Sequence, residues 1–187
     1  METYRLFIAV EVSPAARAEL AAMQNRLKGG NFPVKWVAPD TLHLTLHFLG
    51  ETDVALLPQL SAGLTEALSG VGKMTLHLDG TGAFPNLRRP NVVWAGVGGA
   101  TAALERAQAA AGMTLEALSL PRETRPFRAH LTVGRARRDA APAQLERLGT
   151  ALRALPPLAP VPWEVERVVL FRSQLLPSGP VYTELDA

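Results

Sequence analysis

Hydrophobic and polar positions in the first half of the chain predict five alternating elements. Residues 5–12 are rich in β-branched and aromatic side chains, which is typical of a strand. Ser13 and Pro14 follow, and because both residue types are preferred at a helix start, they predict a helix that runs to about Leu27. The same patterns then predict a strand at 42–49, a helix at 53–68 and an extended segment at 74–84.

The second half of the chain repeats this order of elements. The patterns predict a strand at 92–97, a helix at 100–118, a strand at 129–135, a helix at 142–155 and a final strand at 164–174. The spacing also repeats, because the interval from Arg5 to His43 equals the interval from Val92 to His130. The sequence therefore indicates an internal duplication.

This duplication predicts the fold class. We expect a single bilobal domain over residues 1–187, with an internal repeat at approximately 5–84 and 92–175. Each half has too few helices to cover both faces of a sheet, so the expected fold is α+β. The helices would lie on the outside, and the two uncovered sheet faces would oppose each other across a central cleft.

A short motif occurs at equivalent places in the two halves. The two copies are His43-Leu44-Thr45-Leu46 and His130-Leu131-Thr132-Val133. Alternate residues of a strand share a face, so each histidine projects together with its threonine while the apolar residues point under the helices. In-line displacement at phosphorus needs a proton acceptor on one side and a donor on the other. Two histidines on opposed lobes would supply both groups.

Composition limits the chemistry that the chain can perform. The sequence has no cysteine, which excludes disulfide frameworks, thiolate metal sites, iron–sulfur clusters and cysteine nucleophiles. The hydrophobic content of 48% and the formal charge of +2 are typical of a globular chain. No uncharged stretch reaches the roughly 20 apolar residues that span a bilayer. With no signal-peptide pattern at the N-terminus, we expect a cytoplasmic protein with no membrane partner.

Positive charge is concentrated in one stretch, residues 122–138. This stretch contains six arginines, and Glu123 is the only acidic residue before Asp139. Guanidinium groups bind phosphate oxygens well because of their planar, forked geometry. The stretch therefore predicts a basic surface suited to an anionic substrate, and it favours an oligonucleotide over a small molecule.

These features together resemble a known family. The sequence resembles the two-histidine phosphoesterase superfamily, and within it the RNA 2′,3′-cyclic phosphodiesterases formerly called 2′-5′ RNA ligases. The resemblance extends over nearly the whole chain. Besides the two motifs it rests on RLFIAV at 5–10, Trp36-Val37, HFLG at 47–50, GAFP at 82–85, VVWAG at 92–96, PFRA at 126–129, Gly134-Arg135, LFRS at 170–173, Gly179-Pro180 and Tyr182.

The resemblance implies both a fold and a reaction. The fold would have two mainly antiparallel sheets facing a cleft, and the reaction would open a 2′,3′-cyclic phosphate at an RNA end to a 2′-phosphate, with reverse 2′-5′ ligation as a further activity. By resemblance His43 is the proton donor and His130 the proton acceptor, although the internal symmetry leaves these two labels open. Thr45 and Thr132 would bind the phosphate. No metal and no cofactor is implied, and we expect a monomer.

Further residues are candidates for supporting roles. Arg135 matches an arginine that supports phosphate binding in the family, but ideal strand alternation puts it on the face opposite His130 unless the strand ends or bulges near Gly134. His47 shares a face with His43 by the same alternation. Because Gly134 occupies the equivalent position in the second motif, a third metal ligand is missing. We expect His47 either to support the site residues without touching the substrate or to lie at the edge of the cleft.

Histidine and tryptophan residues elsewhere have simpler interpretations. His77 is expected to be a solvated strand residue. Trp94 and Trp163 lie in apolar strands and are expected in the core, whereas Trp36 precedes the first motif in a predicted loop and is a candidate for stacking on a base.

Two other functions remain open from the sequence. One is a non-catalytic module that binds RNA ends through the same cleft. The other is a phosphoesterase acting on small cyclic nucleotides or on ADP-ribose cyclic phosphate. Hydrolysis of a cyclic-phosphate RNA separates these alternatives from the enzyme.

Overall fold

The computed structural model describes residues 2–177 and 179–185 of the chain. Strands and helices alternate through both halves much as the pattern predicts. The strands are β1 (Thr3–Glu11), β2 (Val34–Trp36), β3 (His43–Asp53), β4 (Met74–Phe84), β5 (Val92–Gly99), β6 (His130–Ala136), β7 (Pro162–Val165), β8 (Val169–Leu176) and β9 (Gly179–Leu185). The helices are α1 (Pro14–Lys28), α2 (Leu57–Leu68), α3 (Thr101–Ala117) and α4 (Pro142–Arg153).

The strands form two antiparallel sheets. Sheet A has the order β3-β1-β8-β9, and sheet B has the order β2-β6-β5-β4-β7. Every strand pair is antiparallel. The predicted α+β class with two antiparallel sheets is confirmed.

Each sheet takes strands from both halves of the chain. Sheet A combines β1 and β3 with the late strands β8 and β9, while sheet B combines β5, β6 and β7 with the early strands β2 and β4. The prediction of one final strand at 164–174 is wrong, because the chain leaves sheet B after Val165 and enters sheet A at Val169. The apolar alternation of this segment contains no glycine or proline that would have marked the crossing.

The helices cover one face of the sheets and bury most of the apolar side chains there. On β1, Leu6, Ile8 and Val10 are fully buried in the main core. Phe7 and Ala9 alternate with them and belong to a second, smaller cluster on the other face. Both faces of β1 are therefore packed, which explains why residues 5–12 form an almost continuous apolar run.

The helix starts agree with the sequence signals, with one difference. The hydroxyl Oγ of Ser13 accepts a hydrogen bond from the Ala16 N–H at 3.2 Å, so α1 has the predicted cap. The helix predicted from residue 53 begins instead with a 3-10 turn, Val54–Leu56, before α2. Within the described part of the chain, no helix is both long enough and apolar enough to cross a bilayer.

Candidate active site

The two motif strands lie side by side although they belong to different sheets. β3 and β6 contact each other at the junction of sheets A and B. His43 and Thr45 on β3 are half-buried and alternate with buried leucines. On β6, His130 and Thr132 are half-buried and alternate with the buried Leu131 and Val133. The structure thus places both histidine–threonine pairs on the sheet faces that the helices leave uncovered. Neither threonine hydroxyl bonds another residue in the described part of the chain.

The two imidazole rings are held in the same way. The Nδ1 of His43 lies 2.8 Å from the carbonyl oxygen of Thr41, and the Nδ1 of His130 lies 2.6 Å from that of Arg128. A carbonyl can only accept, so each neutral ring carries its proton on Nδ1. The lone pair is therefore on Nε2 in both rings, and Nε2 is the atom left to exchange protons with a ligand.

Aromatic side chains fix the orientation of both imidazoles. The ring of Phe7 lies 4.6 Å from that of His43, and Tyr182 meets His43 edge-on at 5.1 Å. On the other side, Phe84 meets His130 edge-on at 5.0 Å. These contacts restrict ring rotation, so the two Nε2 atoms are pre-oriented before a ligand binds.

Comparison with known proteins decides the family. The family model described as LigT like Phosphoesterase matches residues 10–94 and 97–182, one segment in each half of the chain. The chain belongs to the LigT-like phosphoesterase family. This confirms the resemblance inferred from the motifs.

Related proteins align with this phosphoesterase over nearly its whole length. A Methanothermobacter thermautotrophicus protein named RNA 2′,3′-cyclic phosphodiesterase is 31% identical over 182 residues, which cover 97% of this chain and 96% of the relative. A Thermus thermophilus protein of the same name is 37% identical, with coverage of 97% and 88%. The crystal structure of TT0787 from Thermus thermophilus superposes with a TM-score of 0.76 at 35% identity, with coverage of 97% and 94%.

A β-bulge interrupts each motif strand of this LigT-like phosphoesterase at the same place. On β3, Thr45 pairs with Ala9 and His47 with Ile8, so Leu46 has no partner. On β6, Thr132 pairs with Trp94 and Gly134 with Val93, so Val133 has no partner on β5. Each bulge reverses the alternation of side chains beyond it.

The bulge on β6 changes the position of Arg135. Val133 and Gly134 are both buried, and the exposed Arg135 therefore lies on the same face as His130 and Thr132. This is the irregularity that a phosphate-binding role for Arg135 would require. In the first motif the equivalent position is Phe48, whose ring is 49% exposed and lies 4.7 Å from the guanidinium of Arg5.

A buried glutamine supports the bulge on β6, and sequence analysis missed it. Gln24 of α1 is fully buried, and its Nε2 donates to the carbonyl oxygens of Val37 at 2.7 Å and Val133 at 2.8 Å. The N–H of Val37 also donates to the Val133 carbonyl. These bonds satisfy the carbonyl group of the bulged residue Val133. An uncharged polar residue inside an otherwise apolar helix face was the only signal in the sequence.

Of the two positions expected for His47, the edge of the cleft is wrong, because the bulge on β3 turns the ring toward helix α3. His47 is 1% exposed. Its Nε2 lies 2.7 Å from the Gln108 carbonyl oxygen, and its Nδ1 accepts a hydrogen bond from the Glu123 N–H at 3.3 Å. Both ring nitrogens are therefore occupied, and His47 anchors the segment before the second motif to the strand of the first.

Burial lowers the pKa of His43 below the ordinary value of 6.5. The hydrogen bond to the Thr41 carbonyl opposes this shift, and the positive charge of Arg17 adds to it. Burial likewise lowers the pKa of His47, against the opposing effects of the Gln108 carbonyl and Glu123. In the free protein the neutral form of both rings is favoured.

Positive charges from both sheets converge on Tyr182. Burial raises the pKa of the Tyr182 phenol, while the charges of Arg135 and Arg5 act in the opposite direction. Arg5 belongs to sheet A and Arg135 to sheet B, so each sheet contributes one of these two positive charges.

The remaining candidates are placed as follows. Trp163 is 5% exposed and lies in the main core, as expected. Trp94 is not in the core; it is half-buried on the face of sheet B that carries His130, against Phe84. Trp36 lies in β2 rather than in a loop and packs partly buried against the core. His77 is half-buried on β4. Within the described residues, no three His, Asp or Glu side chains form a metal-binding group.

The buried His47 makes a prediction about stability. We expect His47→Leu to lower the free energy of unfolding by about 1–3 kcal/mol at pH 7.5, because it leaves a buried carbonyl and a buried N–H without partners. We also expect the stability of the wild type to fall with acidification. Below the ordinary pKa of about 6.5 the unfolded chain binds protons that His43 and His47 in the folded chain do not bind.

Urea unfolding between pH 7.5 and 5.5 measures both effects. Each of the two histidines contributes at most about 1.4 kcal/mol per pH unit, so the variant should show a shallower dependence on pH than the wild type. His77→Leu is the control, since His77 is only half-buried. An unchanged pH dependence in His47→Leu would contradict the role assigned to His47.

Proposed function

We propose that the protein hydrolyses the terminal 2′,3′-cyclic phosphate of RNA to a 2′-phosphate and a free 3′-hydroxyl, without a metal ion. One observation carries this proposal. His43 and His130 are equivalent in their strands. Each has Nδ1 bound to a carbonyl and Nε2 without a hydrogen-bond partner among the described residues. Such a pair can remove a proton on one side of a phosphorus atom and deliver one on the other.

The first half of the reaction forms the new bond. The Nε2 of neutral His130 removes a proton from a water molecule as the water oxygen attacks phosphorus. Thr45 and Thr132 have hydroxyls without protein partners in the described part of the chain, and these donate to the non-bridging oxygens as negative charge increases. Arg135 adds a positive charge on the same face.

The second half breaks the bond between phosphorus and the 3′ oxygen. The protonated Nε2 of His43 donates its proton to that oxygen as it leaves. Burial lowers the pKa of His43 in the free protein, whereas a bound phosphate anion stabilises the imidazolium and raises it again. The substrate therefore helps to produce the acid that its own cleavage requires. A 5′-hydroxyl in place of water would give a 2′-5′ linkage by the same steps.

The names of relatives support RNA as the substrate. Proteins from Archaeoglobus fulgidus and Thermus thermophilus, 34% and 37% identical, are both named RNA 2′,3′-cyclic phosphodiesterase. A structure described as E. coli LigT complexed with 3′-AMP superposes at a TM-score of 0.74 with 25% identity, covering 98% of this chain and 96% of that one. A nucleotide with a terminal phosphate is what the proposed cleft would hold after hydrolysis.

We expect activity to survive exhaustive chelation. Two imidazoles and two hydroxyls supply every proton transfer and phosphate contact in the mechanism. The test is incubation of the pure protein in EDTA with a short RNA bearing a 2′,3′-cyclic phosphate, followed by chromatography against authentic 2′- and 3′-phosphate standards. A rate that requires added divalent metal would overturn this prediction.

The same assay separates the alternatives. A 2′-phosphate product supports the proposed function, and a 3′-phosphate product would mean that the leaving oxygen is the 2′ one. Tight binding of the RNA end without turnover would identify a binding module. Hydrolysis of cyclic mononucleotides or ADP-ribose cyclic phosphate, with no hydrolysis of the RNA, would identify an enzyme for small substrates.

A further inference from the structure

A groove runs along the open edge of β4 next to the candidate active site. β7 pairs with β4 only as far as His77, so residues 81–84 have no strand beyond them on that side in the described part of the chain. The groove has a volume of about 610 Å³. This is within the range of roughly 300–1,000 Å³ that is usual for small-ligand sites. We call it the β4 edge groove; its lining includes Thr81, Gly82, Asn86, Arg88, Trp94 and Arg153.

Two close approaches determine the shape of this groove. Gly82 lies under the ring of Trp94, and a side chain at this position would overlap the indole. Gly149 of α4 lies against the carbonyl oxygen of Leu87, where a side chain would also overlap. The first contact leaves a half-buried aromatic ring in the groove. The second holds the loop that carries Arg88 against α4, which ends at Arg153.

The arginines of the groove have no acidic partners. No ion pair in the described part of the chain involves Arg88 or Arg153, and both side chains are exposed. The side-chain oxygen of Asn86 accepts the N–H of Arg88 at 2.9 Å, which fixes the turn that presents this arginine. In the stretch predicted to be basic, two of the six arginines do have acidic partners, because Arg122 pairs with Glu116 and Arg125 with Glu123. Uncompensated positive charge therefore lies in the groove.

Two connections join the groove to the candidate active site. The ring of Phe84 lies 5.0 Å from that of His130 and 5.4 Å from that of Trp94, so the three rings form a row. Arg135 pairs with Val92, the first residue after the loop that carries Arg88. A chain bound at His130 can thus continue past the ring of Phe84 into the groove.

We propose that the β4 edge groove binds the nucleotides that precede the cyclic phosphate end. This inference rests on the proposed function and makes it more specific. The preferred substrate is a single-stranded oligonucleotide rather than a mononucleotide. Arg88 and Arg153 bind phosphodiester oxygens, and the Trp94 ring provides an apolar surface for a base or ribose. An aromatic face combined with unpaired arginines is the combination by which proteins bind single strands without reading their sequence.

The test compares two substrates in three variants. The substrates are a 2′,3′-cyclic mononucleotide and a five-nucleotide RNA with the same end, and the variants are Arg88→Ala, Arg153→Ala and the control Arg106→Ala, which removes an exposed arginine from the outer helix α3. We expect each groove variant to raise KM for the RNA by roughly fivefold or more and to leave KM for the mononucleotide and kcat for both substrates unchanged. The control should change none of these.

Salt dependence tests whether the effect comes from binding a phosphate. For single strands the slope of log affinity against log salt concentration decreases by about 0.7 for each phosphate that the protein no longer neutralises. We would measure it by fluorescence anisotropy with a five-nucleotide RNA ending in a 3′-phosphate, a probe that needs no turnover. Each groove variant should reduce the magnitude of the slope by about that amount.

The outcomes distinguish the two proposals. If the wild type hydrolyses neither substrate but the groove variants weaken RNA binding and reduce the slope, the proposed function fails and the groove inference holds. If the wild type hydrolyses the RNA but the groove variants match Arg106→Ala in KM and in slope, the groove inference fails and the proposed function holds. Equal effects on the mononucleotide and the RNA would also overturn the groove inference.

Discussion

We expect His43→Ala and His130→Ala each to lower kcat for the cyclic-phosphate RNA by roughly 10²- to 10⁴-fold. In the proposed mechanism each substitution removes the group that moves a proton on its side of the phosphorus. The loss in the double variant should be less than the product of the two single losses, because the remaining histidine has little effect once its partner is gone. Single-turnover rates at saturating RNA measure these losses without interference from product release.

A matched control separates loss of catalysis from loss of folding. His77→Ala removes a half-buried histidine from the uncovered face of sheet B and should keep nearly full activity. Circular dichroism and urea midpoints should show that the two active-site variants remain folded, since His43 and His130 are only half-buried. Wild-type activity in either single variant would exclude the paired-histidine mechanism.

The second large effect concerns pH. Because one histidine must be protonated and the other neutral, kcat/KM should follow a bell with its top near the ordinary imidazole pKa of about 6.5. Because burial lowers the pKa of His43, we expect the maximum of kcat/KM at a lower pH than an unburied His43 would give. On each limb the rate should fall by about tenfold per pH unit, so a change of two units costs about a hundredfold.

Comparison of kcat with kcat/KM tests the contribution of the substrate. The kcat profile reports the bound complex, in which the phosphate anion raises the imidazole pKa values, so it should lie to the alkaline side of the kcat/KM profile. His130→Ala should flatten the acidic limb and His43→Ala the alkaline limb. An exchange of these two results would exchange the labels of acid and base, and a rate that rises steadily to pH 10 would exclude the histidine mechanism.

The sequence predicted the elements that carry the site because its signals there are local. The equal spacing from Arg5 to His43 and from Val92 to His130 defined two equivalent strands. The alternation around each motif then separated the histidine and threonine from the buried leucines, as the structure also shows. Ser13 marked the start of α1 in the same local way.

The two bulges and the position of Trp94 could not be predicted, because they depend on tertiary contacts. The bulges at Leu46 and Val133 reverse the alternation after each motif, which removed His47 from the cleft and brought Arg135 to it. They are maintained by groups far away in sequence, such as Gln24, which bonds the Val133 carbonyl. Trp94 has an apolar sequence context, yet the absence of a side chain at Gly82 lets it lie on the open face of the sheet.

The exchange of strands between the sheets determines when the enzyme can be completed during its synthesis. Ala9, near the start of the chain, pairs with Val169, near its end. A ribosome adding roughly 5–20 residues per second needs about 8–30 s to make the stretch between them, and for this time one edge of β1 has no neighbour. An open strand edge readily pairs with other chains. A nascent chain stalled before residue 169 therefore lacks two of the four strands of sheet A. Its β1 edge is open to pairing with other chains, although His43 and His130 have already been translated.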